Sequence, residues 1–157
     1  MSSLNAFAAW GREDVEFDQS GSQAFAAPDW FAMSEDTSNT RSLGLTKSLL
    51  DERMRLQLEY TDSRSRGVTQ MLVGVPASEF PDFTTSLNAL SLRVDYHISE
   101  TLAVRIGYRN ERYSSADWQI DGVALTSLAN ILTFGAQSPT YNIDLLTVSF
   151  TYTPAQN

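Results

Sequence analysis

The sequence predicts an all-β fold: an antiparallel up-and-down meander of about six long strands that forms a partial transmembrane β-barrel. Two observations predict it. Apolar and polar residues alternate with period two over stretches of about ten residues, longer than the usual globular strand and long enough to cross a bilayer core. The connections form long loops on one side and short turns on the other, as in bacterial outer-membrane barrels.

The clearest elements are two strands, expected at about residues 86–98 and 101–113, with only a tight turn between them. In each of them every second residue is apolar and the intervening residues are polar, which predicts a sheet with one apolar and one polar face. The apolar residues are Leu90, Leu92, Val94 and Tyr96 in the first strand and Leu102, Val104, Ile106 and Tyr108 in the second. We expect these side chains to face the membrane.

Four further strands are expected at about residues 4–12, 40–49, 53–65 and 141–152. The last two add Leu56, Leu58, Tyr60, Leu146, Val148, Phe150 and Tyr152 to the predicted membrane-facing set. Long loops are expected at 13–36, 67–85 and 114–140. Because short turns are periplasmic in such barrels, the C-terminus is predicted to be periplasmic as well.

The segment 13–36 is rich in Asp and Glu and loses the apolar alternation, so we interpret it as a solvated loop. A calcium site or a docking surface for a basic partner is the alternative. Its carboxylates lack the spacing of an EF-hand loop.

The composition excludes several classes of site. The 157 residues include no cysteine and one histidine, which excludes disulfides, thiolate metal sites, multi-histidine sites and covalent haem attachment through Cys-x-x-Cys-His. The net charge of −8 argues against nucleic-acid binding. No catalytic constellation is recognisable, so we expect a protein that is not an enzyme and that binds no cofactor or metal itself.

The sequence also predicts that more of the barrel precedes this segment. No secretory signal follows Met1, and no apolar run approaches the ~18 residues of a spanning helix. Single-chain bacterial barrels have at least about eight strands, and an open sheet in lipid leaves unsatisfied edges. We therefore expect residues 1–157 to be a single unit, the C-terminal segment of a larger outer-membrane barrel. Closure by several copies is the alternative.

Several short segments of the loops and strand ends carry a resemblance to a known family. They are YTDSRSRG (60–67), PDF (81–83), GYRNERY (107–113), DW (117–118), DGV (121–123) and GAQSPTYN (135–142). Together they resemble the C-terminal end of the MtrB/PioB family, the outer-membrane β-barrels associated with decahaem cytochromes. The resemblance covers about residues 40–152, and residues 1–39 fit as a preceding strand and loop.

The resemblance implies a large barrel in the bacterial outer membrane that sheaths a periplasmic decahaem c-type cytochrome. Such a barrel supports extracellular electron transfer, contacts the lipid bilayer and is not catalytic, and its partner carries the haem. An extracellular multihaem cytochrome is implied as a further partner. The sequence departs from the family pattern in two respects: it covers only the last part of such a barrel, and five residues follow the final aromatic, Tyr152.

The polar positions of the predicted strands are richer in arginine than in carboxylate. The residues expected to face the lumen and bind the partner are Arg41, Arg53, Arg55, Arg93, Arg105, Arg109, Glu59 and Glu111, with Asp95 beside them. Guanidinium groups attract haem propionates or an acidic cytochrome surface, because they hold carboxylates in a bidentate grip. The alternative is a ladder of ion pairs between neighbouring strands that only fills the barrel wall.

Three further residues receive modest roles. His97 is interpreted as a solvated histidine rather than a haem contact. Tyr113 and Trp118, where the fifth strand enters its loop, are interpreted as girdle or loop-packing residues rather than redox groups.

Two other functions stay open on the sequence. The first is a passive or substrate-specific outer-membrane porin, which would not co-purify with haem, whereas a sheath would. The second is a soluble β-sandwich binding protein, which would stay monomeric without detergent. The rows of apolar residues instead predict aggregation in water.

Overall fold

The computed structural model describes residues 3–22, 27–71, 81–117, 121 and 137–154. Its strands are β1 (Leu4–Gly21), β2 (Trp30–Leu49), β3 (Met54–Met71), β4 (Phe83–His97), β5 (Leu102–Ala116) and β6 (Thr140–Tyr152). Each strand pairs antiparallel with the next in one open sheet of order β1 to β6. The predicted all-β meander is confirmed, and the open sheet is consistent with part of a barrel. Among the described residues, no helix has the length and apolar character needed to cross a membrane.

The strands are longer than predicted, most of all at the first connection. β1 continues to Gly21 and β2 begins at Trp30, so the prediction of a loop over 13–36 is wrong for most of that segment. The alternation continues there with inverted polarity. Val15 and Phe17 lie on the face that is otherwise polar, and Glu16 lies on the face that is otherwise apolar.

The predicted short turns are confirmed. The turn between β2 and β3 places Leu50, Asp51 and Glu52 in the left-handed region, with φ of 54°, 50° and 70°. In the turn between β4 and β5, the Ser99 hydroxyl oxygen accepts a hydrogen bond of 3.1 Å from the backbone N–H of Leu102. The connections at the other end of the sheet are longer: 22–29, 72–82 and 117–139.

The register of the strands aligns their apolar residues on one face. A single row joins Leu56, Val94, Ile106 and Val148 on β3 to β6. On β2 and β1 the row continues through Lys47 and Leu4. Every residue that the sequence predicted to face the membrane has the parity of this row. The alternation of β3 to β6 therefore combines into one apolar surface, which Lys47 interrupts on β2.

The opposite face is concave. A cavity of about 450 Å³ on that side is lined by residues from all six strands, from Phe7 on β1 to Thr147 on β6. A flat sheet has no cavity shared by its first and last strands, so the sheet curls around this side. We call it the concave face, and the side that carries Ile106 the convex face.

The sheet has no hydrophobic core of its own. Among the described residues, the buried ones are small: Ala32, Ala89, Ser34, Ser48 and Gly67. The chain exposes 11934 Å², whereas a compact monomer of its mass exposes roughly 7900 Å². The described residues form a single sheet, so they do not provide the second layer that a soluble β-sandwich requires.

The strands are longer than a membrane requires. β3 has 18 residues, which at ~3.4 Å per residue extends roughly 60 Å, about twice the ~30 Å of a hydrocarbon core. Tilting by ~45° still leaves roughly 43 Å. A large part of each long strand therefore has to meet water.

Candidate partner-binding face

Four arginines lie together on the concave face, near the short-turn end of the sheet. The register places Arg55 opposite Asp95 and Asp95 opposite Arg105, so that one carboxylate lies between two guanidinium groups. Arg93 and Arg109 occupy the next rows on β4 and β5. We call Arg55, Arg93, Arg105 and Arg109 the arginine cluster.

Two members of the cluster form ion pairs within the wall. Arg105 pairs with Asp95, and Nη2 of Arg109 lies 2.5 Å from Oε2 of Glu111, whose Oε1 accepts a hydrogen bond of 2.8 Å from the Tyr141 hydroxyl. The arginine side chains are nevertheless 57% and 50% exposed. Exposed ion pairs contribute only about 0.2–1 kcal/mol, so these guanidinium groups can exchange partners at little cost.

The other two members have no acidic partner within the described part of the chain. Nη1 of Arg93 donates a long hydrogen bond of 3.5 Å to Oε1 of Gln57, and Arg55 forms no ion pair there. With Glu59, Asp95 and Glu111, four arginines face three carboxylates, a balance of +1 in a chain whose net charge is −8. These strand residues of the concave face thus have a small positive balance, whereas the short turns beside them carry Asp51, Glu52 and Glu100 against Arg53.

Two residues predicted to be lumen-facing lie elsewhere. Arg41 lies opposite Trp10 on β1 and Asp62 on β3, on the convex face, because it has the parity of Leu43. Its assignment to the lumen is corrected. Arg53 precedes β3, and its backbone N–H closes the turn that leads into that strand.

The three residues with modest predicted roles also have definite positions. His97 is exposed at the end of β4. The ring of Tyr113 stacks on that of Tyr141, with centroids 5.3 Å apart and planes inclined by 22°. Both tyrosines have concave-face parity, so Tyr113 is not part of a girdle on the convex face. Trp118 lies outside the described residues.

A strip of short polar side chains, which was not among the predicted site residues, also lies on the concave face. On the concave side of β2 and β3, the hydroxyls of Thr40 and Ser63 lie 2.9 Å apart, and those of Ser42 and Thr61 lie 3.2 Å apart. Serine and threonine at every second position of β2 were the available signal. Short side chains keep this wall thin, so a bulky molecule inside can approach the backbone closely.

Tyrosines mark one limit of the apolar band on the convex face. The Tyr60 hydroxyl donates a hydrogen bond of 2.9 Å to Asn88, and the Tyr108 hydroxyl donates one of 2.7 Å to Asp144. Asn110 also donates to Asp144, at 2.9 Å. The rings adjoin apolar residues while their hydroxyls reach polar ones, the arrangement of an aromatic belt at a membrane interface.

Beyond these tyrosines the two faces exchange character. On β4, Leu87 and Ala89 lie on the concave face and Asn88 lies on the convex face; on β6, Ile143 is concave and Asn142 convex. The convex face therefore changes from apolar to polar at one level of the sheet.

The connection between β5 and β6 is fastened at its base. The Asp121 carboxylate accepts hydrogen bonds from the Ser138 backbone N–H at 2.7 Å, the Ser138 hydroxyl at 2.8 Å and the Asp117 backbone N–H at 2.9 Å. These bonds, above all the one from the Ser138 backbone, lower the pKa of Asp121. Within the described ranges, no group of three potential ligands is placed to hold a metal ion.

Comparison with known proteins identifies the family. Residues 1–153 match the family described as outer membrane beta-barrel porin, MtrB/PioB. The chain is 28% identical to the outer membrane protein MtrB of Shewanella baltica (strain OS185) over 150 residues, which cover 95% of this chain and 21% of that protein. It thus spans about a fifth of the length of this curated relative. No solved structure matches the chain significantly. Because the family match covers almost the whole sequence, the chain belongs to the MtrB/PioB family of outer-membrane β-barrel proteins.

Proposed function

We propose that this chain is part of a barrel wall that houses a periplasmic multihaem c-type cytochrome and supports electron transfer across the outer membrane. Family membership supports the barrel, and the resemblance described above supports the cytochrome. The observation that carries the proposal is the arginine cluster, three of whose members, Arg93, Arg105 and Arg109, line a concave cavity behind an apolar convex face. The wall itself is not catalytic in this proposal.

The proposed orientation follows from the two faces and the two ends of the sheet. The convex face meets lipid and the concave face meets the cytochrome. The short turns and the C-terminus lie in the periplasm, and the longer connections lie outside the cell. The arginine cluster is then near the periplasmic end, where a periplasmic cytochrome enters the barrel.

The cluster can recognise carboxylates without help from a cofactor. A guanidinium group binds a carboxylate through two parallel hydrogen bonds, so haem propionates and acidic side chains are both suitable partners. This sequence contains no cysteine and so no Cys-x-x-Cys-His motif. In the proposal the partner carries all the haem, and the wall holds the partner in position and insulates it from lipid.

A charge-reversal variant tests the proposal. Arg93→Glu, Arg105→Glu and Arg109→Glu are introduced together into the native gene, and the protein is purified from outer membranes in mild detergent. We expect haem absorbance per barrel to fall at least about tenfold, because each charged hydrogen bond lost weakens binding by about 1.5–3 kcal/mol. Heat-modifiable electrophoretic mobility reports whether the barrel has assembled.

A matched triple reversal on the convex face is the control. Arg12, Arg64 and Arg66 are exposed and ion-paired, to Asp14, Asp62 and Asp82 respectively. Reversing all three changes the net charge equally and should leave haem absorbance unchanged. If an assembled barrel with the concave-face reversal keeps its full haem content, the arginines only fill the wall and the proposal fails.

A passive or substrate-specific porin is the second candidate, because the matched family is described as porin-like. The ion pairs of Arg105 and Arg109 within the wall are also compatible with a water-filled lumen. Conductance in planar bilayers separates the two functions: an open porin conducts when purified without haem, whereas a sheath occupied by a cytochrome conducts little.

A further inference from the structure

A polar depression lies on the convex face, directly beyond the apolar band, where β4, β5 and β6 run side by side. Its volume is about 400 Å³. Its lining consists of Ser86, Asn88, Arg112, Ser114, Thr140 and Asn142, which have convex-face parity, together with Tyr113 and Tyr141.

The lining has the chemistry of an anion site. All six convex-face residues can donate hydrogen bonds, and none is a carboxylate. Arg112 is exposed and forms no ion pair with any described residue. Asp144 lies two positions from Asn142 along β6, but its carboxylate accepts the hydrogen bonds of Tyr108 and Asn110. Among the described residues, the Arg112 guanidinium therefore forms no ion pair, although the Asp144 carboxylate is close enough to interact with its charge.

Arg112 differs in this respect from the convex-face arginines of β1 and β3. Those on β1 and β3 are paired with carboxylates: Arg12 with Asp14, Arg64 with Asp62 and Arg66 with Asp82. Arg41 lies opposite Asp62 in the register. Arg112 instead lies opposite two amides, Asn88 and Asn142.

The level of the depression indicates the source of the anion. Arg112 lies two residues beyond Asn110 and four beyond Tyr108, whose hydroxyl marks the limit of the apolar band. If the convex face meets lipid, this is the level of the lipid headgroups, where aromatic belts end. The long connections lie at this end of the sheet, so the headgroups belong to the outer leaflet.

We propose that this depression binds a phosphate group of a phosphorylated glycolipid in the outer leaflet. The Arg112 guanidinium holds two phosphate oxygens, and the amides of Asn88 and Asn142 donate to the remaining oxygens or to sugar hydroxyls. The inference rests on the proposed orientation of the convex face towards lipid. It is independent of whether the lumen holds a cytochrome.

A titration with bisphosphorylated lipid A tests the inference. The protein is purified from its native outer membrane, stripped of lipid in nonionic detergent and titrated with lipid A in micelles. Loss of a charged hydrogen bond predicts about tenfold weaker binding by Arg112→Gln. Arg64→Gln is the matched control, because Arg64 lies on the same face outside the depression and already has a partner. It should bind as the unmodified protein does.

Two further arms identify the source of the phosphate. Dephosphorylated lipid A should bind the unmodified protein about tenfold more weakly than bisphosphorylated lipid A does. It should bind the unmodified protein and Arg112→Gln equally. Millimolar inorganic phosphate should not displace lipid A. Displacement by inorganic phosphate would assign the depression to a free anion, and equal lipid A binding by both proteins would overturn the site. If Arg112→Gln fails to assemble, Asn142→Ala replaces it, with weaker lipid A binding expected and unchanged binding contradicting the site.

Haem absorbance measured on the same samples separates this inference from the sheath. If a preparation contains no haem but still binds phosphorylated lipid A more tightly than the dephosphorylated form, the result contradicts the cytochrome sheath and supports the lipid site. If a preparation contains haem but binds both forms of lipid A with the same affinity, the result supports the cytochrome sheath and contradicts the lipid site.

Discussion

Replacing Val148 with arginine tests which face of the sheet meets lipid. Val148 lies on the convex face of β6, opposite Ile106 and between Leu146 and Phe150, and is 57% exposed. An arginine at the midplane of a barrel wall on its lipid side costs about 2–4 kcal/mol. At ~1.36 kcal/mol per factor of ten, the folding equilibrium falls by roughly 30- to 900-fold.

Thr147→Arg is the matched control, because Thr147 lies at the same depth on the concave face. This variant loses a hydrogen bond of 3.3 Å from the Thr147 hydroxyl to the Gly107 carbonyl. It should therefore cost no more than about 1 kcal/mol. Urea unfolding in phosphatidylcholine vesicles, followed by tryptophan fluorescence, measures the unfolding free energy of both variants. Equal destabilisation by the two variants, or a larger effect of Thr147→Arg, would refute the assignment of the faces.

Three further predictions concern single contacts. A methyl group added at Gly44 meets the Phe7 ring, so Gly44→Ala should destabilise by about 1–3 kcal/mol; a double-mutant cycle with Phe7→Ala should recover much of that loss. A hydrogen bond from the Ser138 backbone N–H lowers the pKa of Asp121. The stabilisation of the β5–β6 connection by the ionised carboxylate is therefore complete above its ordinary pKa of ~3.9, and it disappears as the pH falls through the lower pKa of the folded state. Pepsin cleavage of the β5–β6 connection should therefore rise as the pH is lowered from 4 towards 2, and Asp121→Asn should remove this pH dependence. Tyr108→Phe removes a hydroxyl that donates to a β6 carboxylate, and should lower the unfolding free energy in urea by about 0.5–1.5 kcal/mol.

The alternation from Leu102 to Tyr108 predicted the fold because each face of the strand keeps one polarity along that whole stretch. The register then brought Val94, Ile106 and Val148 into one row, as period-two patterns in antiparallel strands require. These positions depend on a local pattern and a uniform environment, and both are readable from sequence.

The acidic segment was mispredicted because that environment changes along the strand. Beyond residue 13 the convex face carries Glu16 and the concave face carries Val15 and Phe17, so the pattern inverts partway along β1. A pattern that requires the apolar residues to stay on one face therefore registers this inversion as the end of the strand. The level of the membrane interface is a property of the assembled sheet, which no single strand specifies.

The candidate site shows a similar division. Alternation placed Arg93, Arg105 and Arg109 on one face correctly. Arg41 was wrongly grouped with them, because it shares the parity of Leu43 and only alternate positions of a strand lie on one face. Which arginines are paired depends on the neighbouring strand, as with Arg105 and Asp95, and therefore on a register that the sequence leaves open.

The most direct test of the account is photocrosslinking from two consecutive residues of β4. A benzophenone amino acid replaces either Ser91, which lines the concave cavity, or Leu92, whose parity is that of the convex face. After irradiation of intact cells, crosslinked products are separated and stained for covalently bound haem. The account predicts a haem-positive product from position 91 and none from position 92. A haem-positive product from position 92 alone, or no such product from either position, would contradict it.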